Sequence, residues 1–190
     1  MYRVDERKVR MVTIIGICIS LLLISVAFSL LSDSLKITGS GKMNVYSFDV
    51  HFENVSATVV GRAEYILPEI TSTTVFNNFY VVFNSPGDSV TYQVDVVNNS
   101  SSDVYLADIV QNEAKCVSEK DVTDGLMVCE NYQAILTYDD GVSVLKGDII
   151  KSGEKKHLKY TLSYPRDVNL FPKSPTTLDN LGLLLIYSQK

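Results

Sequence analysis

The 21 residues Met11–Leu31 (MVTIIGICISLLLISVAFSLL) carry no charge and follow directly on the basic tail MYRVDERKVR. Roughly 20 apolar residues at a rise of about 1.5 Å each span a hydrocarbon core of about 30 Å, so this stretch is long enough to cross a bilayer. A buried core helix would show a polar face, and none exists here. Arg3, Arg7, Lys8 and Arg10 flank the segment on its N-terminal side. That charge bias keeps the tail cytoplasmic and places the rest of the chain outside the membrane. Two fates are open for the segment. Ser25 and Ala27 supply the small residues of a signal-peptidase site, which favours a cut between Ala27 and Phe28. The apolar length favours retention as an anchor.

Setting aside the tail's four basic and two acidic residues leaves 13 Lys/Arg against 20 Asp/Glu, a net charge of −7 beyond the segment. Nucleic acid and anionic lipid both call for clustered positive charge, so neither is an expected partner of the exported part. The membrane is a partner only through residues 11–31. Val, Ile, Thr, Tyr and Phe dominate the apolar content and Trp is absent, a composition suited to strands.

The order predicted is a cytoplasmic tail (1–10), a signal or transmembrane helix (11–31), a flexible segment around Gly39-Ser40-Gly41 (32–42) and an extracellular domain (43–190). Within that domain NVYSFDVHFEN alternates, with Tyr46, Phe48, Val50 and Phe52 on one face. Val55–Val60 and Thr74–Phe83 are further strand candidates, and Asn77-Asn78 is placed to bend or bulge the latter. Ser85-Pro86-Gly87-Asp88 fits a type II turn. It leads into SVTYQVDVVNN, with Val90, Tyr92, Val94 and Val96 on one side. DVYLADIV, QAILTYDD, VSVLKGDII and EKKHLKYTLSY read as strands. Leu181–Tyr187 reads as a central strand covered on both faces. With no amphipathic helix beyond a turn or two, although the stretch 110–125 has room for a short one, the expected fold is all-β: a single β-sandwich, Ig-like or jelly roll.

Cys18 lies in the apolar segment, leaving Cys116 and Cys129 as a candidate disulfide in an oxidising compartment. The intervening VSEKDVTDGLMV is polar and loop-like. Two reduced, partly buried thiols are the alternative. Neither cysteine has a CxxC partner or a neighbouring histidine, which argues against redox catalysis and zinc.

Several blocks resemble a known family. The leader ending in SVAFS followed by SDSLKITGSGKMNVYSFDVHFENV, the unit SPGDSVTYQVDVVNNSSSDVYLADI, the hairpin GDIIKSGEKKHLKYTLSYP and the terminal LLLIYSQK are similar to TasA/camelysin-type exported bacterial proteins. The resemblance implies a jelly-roll-like domain at the cell surface or in the biofilm matrix, typically of Gram-positive bacteria, released by a dedicated signal peptidase. It also implies self-assembly into fibres, in which Phe28–Thr38 of one subunit adds as a strand to a neighbour's sheet. Leu30, Leu35 and Ile37 are then the docking residues.

Camelysin-like proteins have been described as metalloproteases, so catalysis must be weighed. A zincin needs two histidines four apart on a helix with a glutamate between. This chain has only His51 and His157, both at strand positions. No G-x-S-x-G elbow or Cys–His pair is present. The expectation is a non-enzyme without cofactor or metal. Asp121, Asp124, Asp139, Asp140 and Asp148 sit in turn-like segments that would suit calcium, but turn formation explains them equally well. Asn54, Asn98 and Asn99 fall in glycosylation sequons and read more simply as turn residues. Tyr46, Tyr92, Tyr160 and Tyr164 lie on apolar strand faces as core residues, leaving Tyr105 and Tyr80 for a solvent-facing platform. The leading expectation is an exported structural or interaction protein. A membrane-anchored binding or adhesion module is the second reading, and a camelysin-like metalloprotease the third.

Overall fold

The computed structural model describes residues 16, 19–21, 47–167 and 172–189. By contacts the chain divides into two units, Met1–Asn44 and Val45–Lys190. In the first, Gly16, Ile19, Ser20 and Leu21 are helical. Among the described residues no helix is long and apolar enough to cross a membrane. Most of the predicted span Met11–Leu31 lies outside the described residues.

The second unit is built from two antiparallel sheets. One has the order β1 (Val50–Val60), β5 (Ser89–Asn98), β10 (Lys155–Ser163), β8 (Gln133–Tyr138). The other runs β2 (Glu64–Tyr65), β4 (Val75–Phe83), β11 (Thr176–Gln189), β6 (Val104–Gln111), β9 (Ile149–Ile150). In that sheet β3 (Glu69–Ser72) also pairs with β4, and β7 (Lys115–Ser118) with β11. The alternation read from β5 is the observed one: Val90, Tyr92, Val94 and Val96 are all buried. Leu158, Tyr160, Leu162 and Tyr164 likewise face inward. The sheets meet through aromatic pairs, with Phe52 against Phe76 at 4.8 Å between centroids and Phe79 against Tyr92 at 5.1 Å. The second unit is therefore an all-β sandwich around one core.

Three left-handed asparagines organise the strands. Asn54 (φ 55°), Asn78 (φ 57°) and Asn180 (φ 58°) each sit at a break in register. A bulge inserts one residue and moves every later side chain to the opposite face. In β1 the inward positions accordingly switch from Val50 and Phe52 to Val55 and Ala57. The two strand candidates read from sequence are thus one strand. Across the break the inward Phe76 and Phe79 of β4 are three apart, as are the inward Leu178 and Leu181 of β11. The Asn77-Asn78 bulge is present as expected.

Four expectations are corrected. Ser47–Asp49 are not strand and Phe48 is 53 % exposed, so the alternating face begins at Val50. VSVLKGDII is mostly turn, because the Asp148 carboxylate accepts from Leu145 N (2.8 Å) and Gly147 takes a left-handed φ of 94°. Leu181–Tyr187 is central in its sheet but covered on one face only, with Ile186 40 % exposed. A ten-residue helix, α1 (Val122–Asn131), occupies part of the stretch read as loop.

Burial pushes the phenols of Tyr92, Tyr160 and Tyr187 above their ordinary pKa. The fold therefore favours the neutral phenol, and that stability is complete below the unfolded value of about 10 and lost as pH rises towards the folded values. We expect the denaturant midpoint to fall above about pH 10, with each of the three phenols contributing about 1.4 kcal/mol per pH unit. A midpoint at about pH 11 equal to that at about pH 8 would contradict this.

Candidate functional site

Ala27, Phe28, Leu30, Leu35 and Ile37 lie outside the described residues. Cys116 and Cys129 are bonded, with Cα atoms 5.6 Å apart. The segment they enclose differs from the expected loop. Asp121 caps α1 by accepting from Thr123 N (2.9 Å), and the helix brings Cys129 back to Cys116 on β7. Gly125 makes this approach feasible, since a Cβ there would lie 2.7 Å from the Cys116 carbonyl oxygen. The bond thus ties the helix to an edge segment that pairs with β11.

The sheet edges are where a sandwich can pair with another chain. Edge β8 is partly covered, because Tyr138 N donates to Val142 O (2.8 Å) and Val144 N to Leu136 O (3.2 Å). Edge β1 is more open. Its Phe52 N donates to Thr73 O (2.7 Å), and among the described residues the stretch beyond Asn54 has no main-chain partner besides β5. Val59 and Val60 end this strand. The Gly61 turn leads straight into β2 and β3 at the edge of the other sheet, where Tyr65, Ile66, Leu67 and Ile70 follow. All six are between 38 % and 57 % exposed. The alternation in the sequence did not single them out, because on an edge strand an outward apolar residue looks like an inward one.

The outer face of the four-stranded sheet holds both histidines. His51 and His157, remote in sequence, sit on β1 and β10 with β5 between them. A continuous ladder links them. Asp49 meets His51 Nδ1 at 2.7 Å and Glu53 meets His51 Nε2 at 3.1 Å; Lys155 Nζ then bridges Glu53 (3.2 Å) and Asp95 (3.4 Å), and Asp95 pairs with His157. Hydrogen bonds to Asp49 and then Glu53 raise the His51 pKa, while its partial burial opposes them. Burial acts to raise Asp95, but Asn54, His157 and Lys155 together hold its carboxyl below the ordinary value. Each ring is thus hydrogen-bonded to carboxylates at a solvated surface, where such a pair is worth about 0–1 kcal/mol. Among the described residues no group of His, Cys, Asp and Glu is arranged to hold a metal ion.

The loop aspartates are spent locally. Asp124 is buried in α1 and accepts from Lys173 N (2.9 Å) and Ser174 Oγ (2.8 Å). Asp139 pairs with Lys159 (2.6 Å), Asp140 accepts from Val142 N (3.0 Å), and Asp148 accepts from Tyr138 OH (2.9 Å). Of the tyrosines, Tyr92, Tyr160 and Tyr164 are core residues, Tyr105 is half-buried and Tyr80 is exposed; Tyr46 lies outside the described residues. No family model, curated protein or solved structure matches the chain.

Proposed function

We propose that this is an exported, non-catalytic structural protein of the bacterial cell surface or biofilm matrix, whose jelly-roll-like domain assembles by strand addition. Residues 11–31 act as the signal or anchor helix. The observation that carries the reading is the open β1 edge beyond Asn54, bordered by exposed Val59, Val60, Ile66 and Leu67. A soluble monomer normally guards such an edge with lysine, proline or a covering loop. Here apolar side chains stand in that place. Strand addition uses the edge's main-chain groups for affinity and the flanking apolar residues for specificity. Phe28–Thr38 of a neighbouring chain is the occupant proposed, with Leu30, Leu35 and Ile37 as its docking residues.

Placing a lysine on the edge tests this directly. Val60→Lys substitutes a 57 % exposed side chain, so folding stability is expected to change by no more than about 0.5 kcal/mol. Sedimentation of the purified variant is expected to show monomer where the wild type forms large species. A variant that assembles like the wild type would remove the β1 edge from the account. The metalloprotease reading is tested separately, by whether the protein has any chelator-sensitive proteolytic activity.

A further inference from the structure

We propose that the recess over the paired bulges of β4 and β11 is a binding site for a neutral saccharide. It lies on the outer face of the larger sheet, and nothing in the strand-addition reading uses it. Phe79 and Leu181 pair at its floor, and the left-handed Asn78 and Asn180 stand beside them on the two strands. The result is a step in the sheet of about 410 Å³, walled by Tyr80, Asn112 and Lys115. Ligand clefts run from roughly 300 to 1,000 Å³.

Four side-chain amides converge here, and their bonding leaves specific atoms unspent. Asn77 donates to Thr71 Oγ (3.1 Å), Asn78 to Glu69 (2.7 Å) and Asn180 to Glu113 O (2.9 Å). Each of these bonds uses the amide nitrogen, which fixes the side chain and leaves its oxygen as an oriented acceptor. The Asn112 amide makes no side-chain hydrogen bond among the described residues, and Lys115 makes no ion pair among them. Gly182 makes the arrangement feasible. A Cβ at that position would collide with the Asn112 amide nitrogen and lie 2.8 Å from the Asn77 oxygen. Only glycine lets those two amides close over the backbone.

The chemistry selects the ligand class. A lone anion would face the amide oxygens and Asp179, and a cation would face Lys115 and the Asn112 amide. Vicinal hydroxyls both donate and accept, so they match a mixed set of amide oxygens, an amide nitrogen and an ammonium. The Tyr80 ring, 37 % exposed beside these groups, offers the apolar face on which the C–H side of a sugar ring packs. Left-handed non-glycine residues and bulges cluster at functional sites, and this recess holds two side by side.

The test uses the full chain in a non-glycosidic detergent, with arrayed neutral hexose and N-acetylhexosamine oligomers as probes and uronic-acid oligomers for comparison. The chain has no Trp, so the tyrosine difference spectrum is free of indole absorbance, and its loss in Tyr80→Ala assigns the signal to that ring. We expect at least one neutral oligomer to bind. Tyr80→Ala and Asn112→Ala, both at exposed positions, are each expected to weaken it about tenfold without lowering the melting temperature. Tyr105→Ala, on another part of the sheet, is expected to leave binding unchanged. No binding of any neutral oligomer at millimolar concentration, binding of uronic-acid oligomers only, or wild-type affinity in both Tyr80→Ala and Asn112→Ala would overturn the proposal.

Discussion

Asp88→Ala is expected to destabilise the domain by about 3–5 kcal/mol, lowering its melting temperature by about 10 °C. Asp88 is 1 % exposed, and its two carboxylate oxygens serve four donors. Oδ1 accepts from Arg62 N (2.8 Å) and Ser85 Oγ (3.1 Å), while Oδ2 accepts from Asn84 N (2.8 Å) and Ser85 N (2.8 Å). Arg62 belongs to the turn that carries the chain from β1 to β2. Asn84 and Ser85 belong to the turn from β4 to β5. The carboxylate therefore fastens the crossing between the two sheets at one end of the sandwich. Removing it strands three main-chain N–H groups, each costing about 1–3 kcal/mol where water cannot reach. Gly61 fits the same geometry, since its φ of 85° suits glycine and a Cβ would collide with the Asp88 carboxylate. Thermal unfolding of the variant measures the loss, and a cost below about 1 kcal/mol would show that the carboxylate is dispensable.

The second large effect separates two phenylalanines. Phe76→Ala is expected to cost about 3–5 kcal/mol, because the ring is fully buried, packs against Phe52 across the sheets and leaves a cavity that a close-packed core fills poorly. Phe48→Ala is expected to cost no more than about 0.5 kcal/mol, since that ring is 53 % exposed. Strict alternation through Phe48, Val50 and Phe52 would instead give Phe48 a core-sized penalty. Denaturant unfolding of the two variants distinguishes the cases.

Where period two persists, it located the core. β5 and β10 are central strands with one face inward, and apart from Val97 at the end of β5 their buried valines, leucines and tyrosines are those the pattern marks. The turn at Ser85–Asp88 was also readable, with Gly87 at φ 88° and Asp88 N donating to Ser85 O (3.1 Å). The role of Asp88 was not, because a turn aspartate and a buried hub that spans two turns have the same local sequence. A bulge caused the reading of β1 as two strands. Between Phe52 and Val55 the apolar spacing changes from two to three, a signal that splits one strand into two when read as strict alternation. The same spacing recurs at Phe76–Phe79 and Leu178–Leu181.

The stretch 110–125 had room for a short helix, but the ten residues of α1 start only at Val122 and are poorly legible as helix, because VTDGLMVCEN holds a glycine and β-branched residues, which carry poor helix propensity. A local cap at Asp121 and two tertiary ties decide it instead: the bond to Cys116 and the buried Asp124 holding Lys173 and Ser174. The surface sites depend on strand order, which alternation does not encode. His51 and His157 share a face only because β5 lies between β1 and β10. Asn78, Asn112 and Asn180 meet only because β4 and β11 bulge at the same level and the chain leaves β6 beside them.

The strand-addition account rests on a freed N-terminal segment finding a neighbour's β1 edge. The most direct measurement is the N-terminal residue, together with the sedimentation state, of the protein recovered from expressing cells. The account predicts a chain starting at Phe28 in large species that grow with time. An intact Met11–Leu31 in the membrane fraction, monomeric in detergent, would contradict it and leave a tethered binding domain.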